Sequence, residues 1–348
     1  MAKSSRKLRV YLGRQFLLPS NGTCTDLKLN AKSNKFYNWL RTRERKRPEE
    51  GKTRSSQWFF SVSSMTSFTY KGISLPVVDY YSEETLRYVE NEFQMLDDDI
   101  VSVTYPKSGT HWMQEILGLI WRDGDPSWVQ SLPAWERIAW IDSIPGLQLA
   151  LKYPAPRLLG SHLPFHIFPK SFLHSKSKVI YTVRNPKDVM ISYYHFSKGL
   201  KIVEDPGTLE EYMEEFLSGS VSYGSWFEHV KSWMEMKDKS NFFIITYEEL
   251  QQDLLGSVKR ICHFIGKELN SQQIDSVVEN ASFHKMKDNN MSNFTQFPDT
   301  YFDHTKGKLM RKGICGDWKN HLTVAQNEHF DRVYRENMQG LRMTFPWD

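Results

Sequence analysis

The 348-residue chain is short of the features that would take it out of the ordinary globular class. It holds three cysteines, Cys24, Cys262 and Cys315, too few for a disulfide framework and in keeping with a reducing compartment. No run approaches the roughly 20 consecutive apolar residues of a membrane span, so the sequence reads as a soluble protein. The G-x-x-x-x-G-K-[ST] loop of ATP-binding proteins is absent, and so is any internal repeat. No His, Cys, Asp and Glu cluster has metal-ligand spacing, and no metal is expected. What remains is 40% hydrophobic and 14% aromatic residues, 11 of them Trp, enough for a large core and too much for a disordered chain.

Acidic residues are scarce at one end. Residues 1–64 carry 15 Lys/Arg against Asp26, Glu44, Glu49 and Glu50, whereas 65–348 carries 30 basic and 37 acidic residues. The net charge of +4 therefore belongs to a basic N-terminal extension, which has no sustained period and reads as a solvated, disordered segment. Up to Cys24 it contains five basic residues and no acid, the composition of a mitochondrial presequence. Binding of nucleic acid or acidic lipid is a second functional reading, and a plain unstructured extension is the third. Met65 could serve as the start of another form of the chain.

From Tyr70 onward the punctuation becomes regular. "DIVSVTY" from Asp99 is a short β-branched run and reads as a buried strand. "RLLGSH" (157–162), "KVIYTVRNP" (178–186) and "NFFIITYEEL" (241–250) give three more. Between them lie helical stripes: Trp112, Ile116, Leu119 and Ile120; Trp226, Val230, Trp233 and Met234; and Leu254, Val258, Ile261 and Ile265. Length alone suits two domains, but alternating strands and helices with no convincing linker imply one. The expectation is a single α/β domain over 65–348, with a central parallel β-sheet flanked by helices and a phosphate-holding loop resembling a P-loop. In such folds the ligand lies beyond the carboxyl ends of the strands.

The residues that follow the strands suit an anion. After the first come Lys107, Ser108, Gly109, Thr110, His111 and Trp112: a mobile charge, a glycine for close backbone approach, and helix-start N–H groups. After the third, Arg184 precedes Ser192 by eight residues, and the two can share an anion only if the intervening helix doubles back across the strand end. Arg311, Lys312 and Gly313 stand together near the C-terminus and can wrap a phosphate. Each has a plainer reading alone: an N-cap with a solvated Lys, an Arg184–Asp188 surface pair, a solvated basic pair. Together they suggest a nucleotide phosphorylated at both ends.

"TYPKSGTHW", "VRNPKDVMISYYHF" and "RKGICGDWKNHLTVAQNE" resemble, in order and spacing, the cytosolic sulfotransferases. "PAWERIAWIDS", "SHLP" and the closing "FPWD" look closest to the hydroxysteroid (alcohol and cholesterol) branch, and the resemblance spans about Phe68 to Asp348. It implies 3′-phosphoadenosine 5′-phosphosulfate as co-substrate, with Lys107 near the bridging oxygen and Ser108, Gly109 and Thr110 on the 5′-phosphate. Arg184, Ser192, Arg311, Lys312 and Gly313 would hold the 3′-phosphate. Trp112, Phe283 and Tyr247 would hold the adenine, and His111, Ser282 and Met286 complete the implied cofactor set. Ala281 stands where the family has a Thr, which removes one hydrogen bond to the base.

His162 is the implied general base for the acceptor hydroxyl. Many relatives carry a Lys two residues earlier, where this chain has Gly160, as the steroid branch also lacks that Lys. Trp135, Trp140 and Phe196 align with the apolar acceptor pocket, for which ordinary core is the plainer reading. Lys319, Thr323, Val324 and Glu328 match the family's dimer motif, implying a homodimer. The resemblance implies a cytoplasmic enzyme, with mitochondria the alternative if the extension is a presequence. The function implied is sulfuryl transfer to a steroid, sterol or related alcohol, with no nucleic acid required. A weak or inactive nucleotide- or sterol-binding protein, or a sulfotransferase preferring phenols or other small acceptors, is the rival. A two-ended phosphate site predicts that ATP at equal concentration leaves bound 3′,5′-bisphosphoadenosine in place; displacement in equilibrium dialysis refutes that reading.

Overall fold

The computed structural model describes residues 67–76 and 80–348. The basic segment 1–64, with Cys24 and the alternative start at Met65, lies outside the described residues. The described part belongs to one compact unit, Gln57–Asp348.

The hairpin β1 (Ser67–Tyr70) and β2 (Ile73–Pro76) opens the described residues, followed by α1 (Glu83–Asn91). Next come β3 (Ile100–Thr104), α2 (Thr110–Trp121), α3 (Ser127–Ser131) and α4 (Ala134–Arg137). The two-residue β4 (Ala139–Trp140) leads to α5 (Ile144–Lys152), β5 (Leu158–Ser161) and β6 (Lys178–Val183). After α6 (Pro186–Ser197), α7 (Leu209–Ser218) and α8 (Trp226–Met234) comes β7 (Phe242–Thr246). The chain closes with α9 (Tyr247–Gln252), α10 (Leu254–Ile265), α11 (Ser271–Asn280), α12 (Phe283–Asp288) and α13 (Val324–Met338).

Five strands form a sheet in the order β4-β5-β3-β6-β7, each neighbouring pair parallel. The expected α/β architecture is thus the one found. β3 lies at its centre with all five residues buried, the polar Ser102 and Thr104 included, as expected for a strand covered on both faces. One face is covered by α2, α10 and α11, where Ile116, Leu119, Val258, Ile261 and Val277 pack on Ile100, Ile180 and Ile245. On α8, Trp226, Val230 and Trp233 are fully buried, and Trp233 stacks on Tyr181 of β6 and Phe242 of β7.

Two elements differ from the sequence expectation. The β1–β2 hairpin turns on Lys71 and Gly72, both at positive φ, a turn that a Lys-Gly pair signals less strongly than Asn-Gly. β4 is too short to carry a periodic signal, and its pairing with β5 comes from tertiary packing.

One buried ion pair fixes the start of the sheet. Arg157 donates to both carboxylate oxygens of Asp99 (2.8 and 2.5 Å) and to the carbonyls of Ala150 and Gln94, joining the entries of β3 and β5. With both partners buried, removing one leaves an uncompensated charge. Asp99→Ala is expected to lower unfolding stability by about 3–5 kcal/mol, read by urea denaturation.

Candidate functional site

The centre of the site is the turn between β3 and α2. Lys107 has φ +68° and Gly109 φ +104°, so the chain makes two left-handed steps before the helix begins. For Lys107 that conformation costs roughly 1–2 kcal/mol. Gly109 is required for a second reason: a Cβ there would lie 2.9 Å from the Tyr247 ring, at the end of β7. The turn therefore aims the Ser108–His111 backbone at the space beyond the strand ends, as expected for an anion at a helix start.

Arg184 leaves the end of β6 and donates to the carbonyls of Lys107 (3.2 Å) and Ile314 (3.0 Å), with its guanidinium 4.1 Å from the Tyr247 ring centre. The Arg184–Asp188 surface pair considered from the sequence does not form. Asp188 instead accepts from the Gly316 and Trp318 N–H groups and anchors the C-terminal segment. Arg184 just before α6 and Phe196 near its end both touch Lys107, whose ammonium lies 3.9 Å from the Phe196 ring centre. Ser192 sits one turn before Phe196 on the same side of the helix.

Arg311 and Lys312 both bind Asp317, at 2.6 and 2.7 Å. Although burial works the other way, the bonds from Lys312, Asn320 and Arg311 hold the Asp317 carboxyl well below the usual range. Desolvation, then Arg184, then Arg311, lower the Lys107 ammonium to about 7. Lys107 and Arg311, taken from opposite ends of the sequence, thus act on one another in one crevice. Among the described residues ten buried polar side-chain atoms lack a protein partner, and Ser108 Oγ, Arg184 Nε and Arg311 Nε are among them. Buried donors are seldom left unmatched, and a set in a field of cations suits a polyanion.

On the base side, Trp112 donates from Nε1 to the Ala281 carbonyl (2.8 Å) and meets the Tyr247 ring edge-on at 5.1 Å. Phe283 lies against Gly313, where a Cβ would approach its ring to 2.1 Å, and Gln251 donates to both the Gly313 carbonyl and the Tyr247 hydroxyl. Ser282 caps α12, and Met286 is buried beneath it. The residues expected at the base and those expected at the 3′-phosphate therefore meet at Gly313.

His162, directly after β5, places Nδ1 2.6 Å from the Thr104 carbonyl. A carbonyl only accepts, so Nδ1 carries the proton and Nε2 keeps its lone pair. Desolvation lowers this imidazole to about 3, against the bond to Thr104, so it is neutral near pH 7. Its backbone is held on both sides: its N–H donates to Asp142 (2.6 Å), and its carbonyl accepts from Nε2 of His229 (3.0 Å). Asp142 also accepts from Ser161, and His229 from the Tyr181 hydroxyl.

Residues 97–342 match the protein family described as the sulfotransferase domain. This chain belongs to the sulfotransferase family. It is 53% identical to human "Sulfotransferase 2B1" over 281 residues, covering 81% of this chain and 76% of that one. It is 49% identical to the Cavia porcellus "3-beta-hydroxysteroid sulfotransferase", covering 80% and 97% of the two chains. Among solved structures it is similar to mouse sulfotransferase SULT7A1 complexed with PAP, with a TM-score of 0.66 at 32% identity, over 79% of this chain and 95% of that one.

In this sulfotransferase the three aromatics expected at the acceptor pocket fall into two groups. Trp135 and Phe196 both pack on Phe294, at 6.0 Å, and Phe294 stacks on Phe297. Trp140 stands edge-on to the His162 ring at 4.5 Å, with Tyr223 at 5.0 Å on the same imidazole. Lys319 lies in a 3-10 turn, Thr323 caps α13, and Val324 at its first position is 77% exposed beside exposed Glu328.

Sequence reasoning missed Asp142, His229, Asp317 and Phe294. A histidine inside the apolar stripe of α8 was the one visible signal, whereas Asp142 reaches His162 only through the β4–β5 pairing. The geometry predicts that His162 stays neutral, with its proton on Nδ1, down to about pH 5 in nitrogen-15 spectra; a midpoint near the ordinary histidine value of about 6.5 would refute this description.

Proposed function

We propose that this sulfotransferase moves the sulfuryl group of 3′-phosphoadenosine 5′-phosphosulfate to the hydroxyl of a steroid, sterol or related alcohol, leaving adenosine 3′,5′-bisphosphate. The observation that carries the reading is a neutral His162, its Nε2 unprotonated, beside a cation-rich crevice that includes Lys107 and three unmatched donors. The names of the relatives, among them a hydroxysteroid sulfotransferase and a structure holding PAP, support the same substrate classes.

The donor supplies an activated sulfur and a phosphate leaving group; the rest falls to residues of the chain. His162 Nε2 takes the acceptor O–H proton as the new O–S bond forms and the bond from sulfur to the bridging oxygen breaks. The Lys107 ammonium meets the charge that collects on the departing phosphate. Ser108, Gly109, Thr110 and the His111 N–H take the 5′-phosphate, and Arg184, Ser192, Arg311, Lys312 and Gly313 the 3′-phosphate. Trp112, Tyr247, Ser282, Phe283 and Met286 form the base site. A bound polyanion favours the charged form of Lys107, opposing the desolvation and the field of Arg184 and Arg311 that lower it in the free protein. Trp135, Trp140, Phe196 and Phe294 form the acceptor walls, and their apolar surfaces favour a hydrophobic alcohol over a charged acceptor.

A homodimer through Lys319, Thr323, Val324 and Glu328 is part of this proposal, with exposed Val324 as its apolar contact. So is residence in the cytoplasm for 65–348, with mitochondria the alternative set by residues 1–64. Among the described residues no helix is long and apolar enough to cross a membrane, and no cluster of side chains could hold a metal.

Labelled sulfate from the donor is expected on one or more of androsterone, cholesterol and 1-butanol. His162→Ala should lose about 10²–10⁴-fold in turnover while holding 3′,5′-bisphosphoadenosine as tightly as the wild type. A wild-type protein that binds the nucleotide and labels no alcohol, phenol or amine would sink the enzymatic reading in favour of a binding protein.

A further inference from the structure

Trp140 and Gly160 are direct partners in the parallel β4–β5 ladder, so their side chains share one face of the sheet. The indole lies over the Gly160 α-carbon. A Cβ at 160 would stand 2.6 Å from Cε3 and 2.7 Å from Cζ3 of Trp140, and 3.2 Å from Nε2 of Gln114. Contacts under 3 Å are not tolerated, and the opposed atoms belong to a rigid ring rather than a flexible tip.

The main chain of Trp140 has nowhere to retreat. Its carbonyl accepts from the Ser143 N–H (3.2 Å) and hydroxyl (3.1 Å). A Cβ on Gly146, at the start of α5, would fall 2.0 Å from that same carbonyl, so the helix already packs against this peptide. Ile141 donates to the Gly160 carbonyl at 3.0 Å, which fixes the spacing of the two strands. Only the indole can move. Its neighbour across from Gly160 is the His162 imidazole, with ring centres 4.5 Å apart, and that residue is held through Thr104, Asp142 and His229.

We infer that residue 160 determines acceptor size in this enzyme by deciding whether Trp140 lies flat on the sheet or stands in front of His162. With glycine the indole drops onto the strand and leaves the approach to Nε2 open. Any side chain at 160 lifts the indole off β5 toward the imidazole, into the path that an acceptor hydroxyl takes to Nε2. A wide, rigid alcohol then loses access before a narrow one does. Gly160 and Trp140 are specificity-determining residues and take no part in proton or sulfuryl transfer. The inference rests on the proposed alcohol acceptor, and its test separates the two.

The test compares wild type, Gly160→Ala, Trp140→Leu and the double variant on 1-butanol, cyclohexanol and androsterone. Calorimetric affinities for 3′,5′-bisphosphoadenosine, and for androsterone in its presence, are measured alongside. Gly160→Ala is expected to lower kcat/KM for androsterone about 10-fold or more, cyclohexanol less and 1-butanol least, with nucleotide affinity held. Trp140→Leu in the Gly160→Ala background should restore most of the androsterone loss, a coupling that two independent substitutions would not show. An equal loss on all three alcohols, or no recovery in the double variant, overturns the inference. Should Gly160→Ala fail to fold, a double variant that folds and binds androsterone supports it, and one that also fails to fold refutes it. If the wild type turns over no alcohol, the proposed function falls, and androsterone affinity across the four proteins still reads whether residue 160 gates the pocket.

Discussion

One guanidinium holds the site together. Arg184 sits just after β6, buried, with one donor on the turn after β3, another on the C-terminal segment, and its face on the Tyr247 ring directly after β7. Three strand ends and a segment 130 residues away in sequence meet on this side chain. Because the guanidinium is planar and permanently charged, it can bridge carbonyls on two sides and still present Nε elsewhere. A lysine in its place would offer a point charge with no fixed directions.

That arrangement has an electrostatic consequence. Lys107, Arg184 and Arg311 crowd into one crevice, and the carboxylate that balances them, Asp317, is already shared by Arg311 and Lys312. Burial first, and the neighbouring guanidiniums second, bring the Lys107 ammonium down to about 7, whereas the two arginines stay charged. Its ammonium meanwhile rests on Phe196, whose ring also packs on the proposed acceptor wall. The proposed donor and acceptor sides therefore touch through the Lys107–Phe196 cation–aromatic pair.

The histidine is governed by the opposite logic. Its environment withholds charge, its proton is fixed on the nitrogen that faces Thr104, and its peptide is clamped by a carboxylate on one side and a second buried histidine on the other. In the proposed role of base the imidazole must arrive unprotonated and correctly turned, and burial favours the first while backbone hydrogen bonds favour the second. Aromatic rings complete the surround, so the cation-rich and water-poor halves of the crevice lie side by side.

Much of this was legible in the chain itself. Short apolar runs followed by Lys107, His162, Arg184 and Tyr247 sufficed for a parallel sheet with its chemistry beyond the strand ends, because strand period and turn chemistry are local properties. The order of Lys107 and Gly109 set the turn apart from an ATP loop for the same reason. Only the tertiary structure decided that Asp188 serves the C-terminal segment rather than Arg184, that Asp142 and His229 hold the His162 peptide, and that Trp140 rests on Gly160. Each of these is a contact between residues remote in sequence, set by strand order and register, and a pattern read along one strand carries no information about its neighbour.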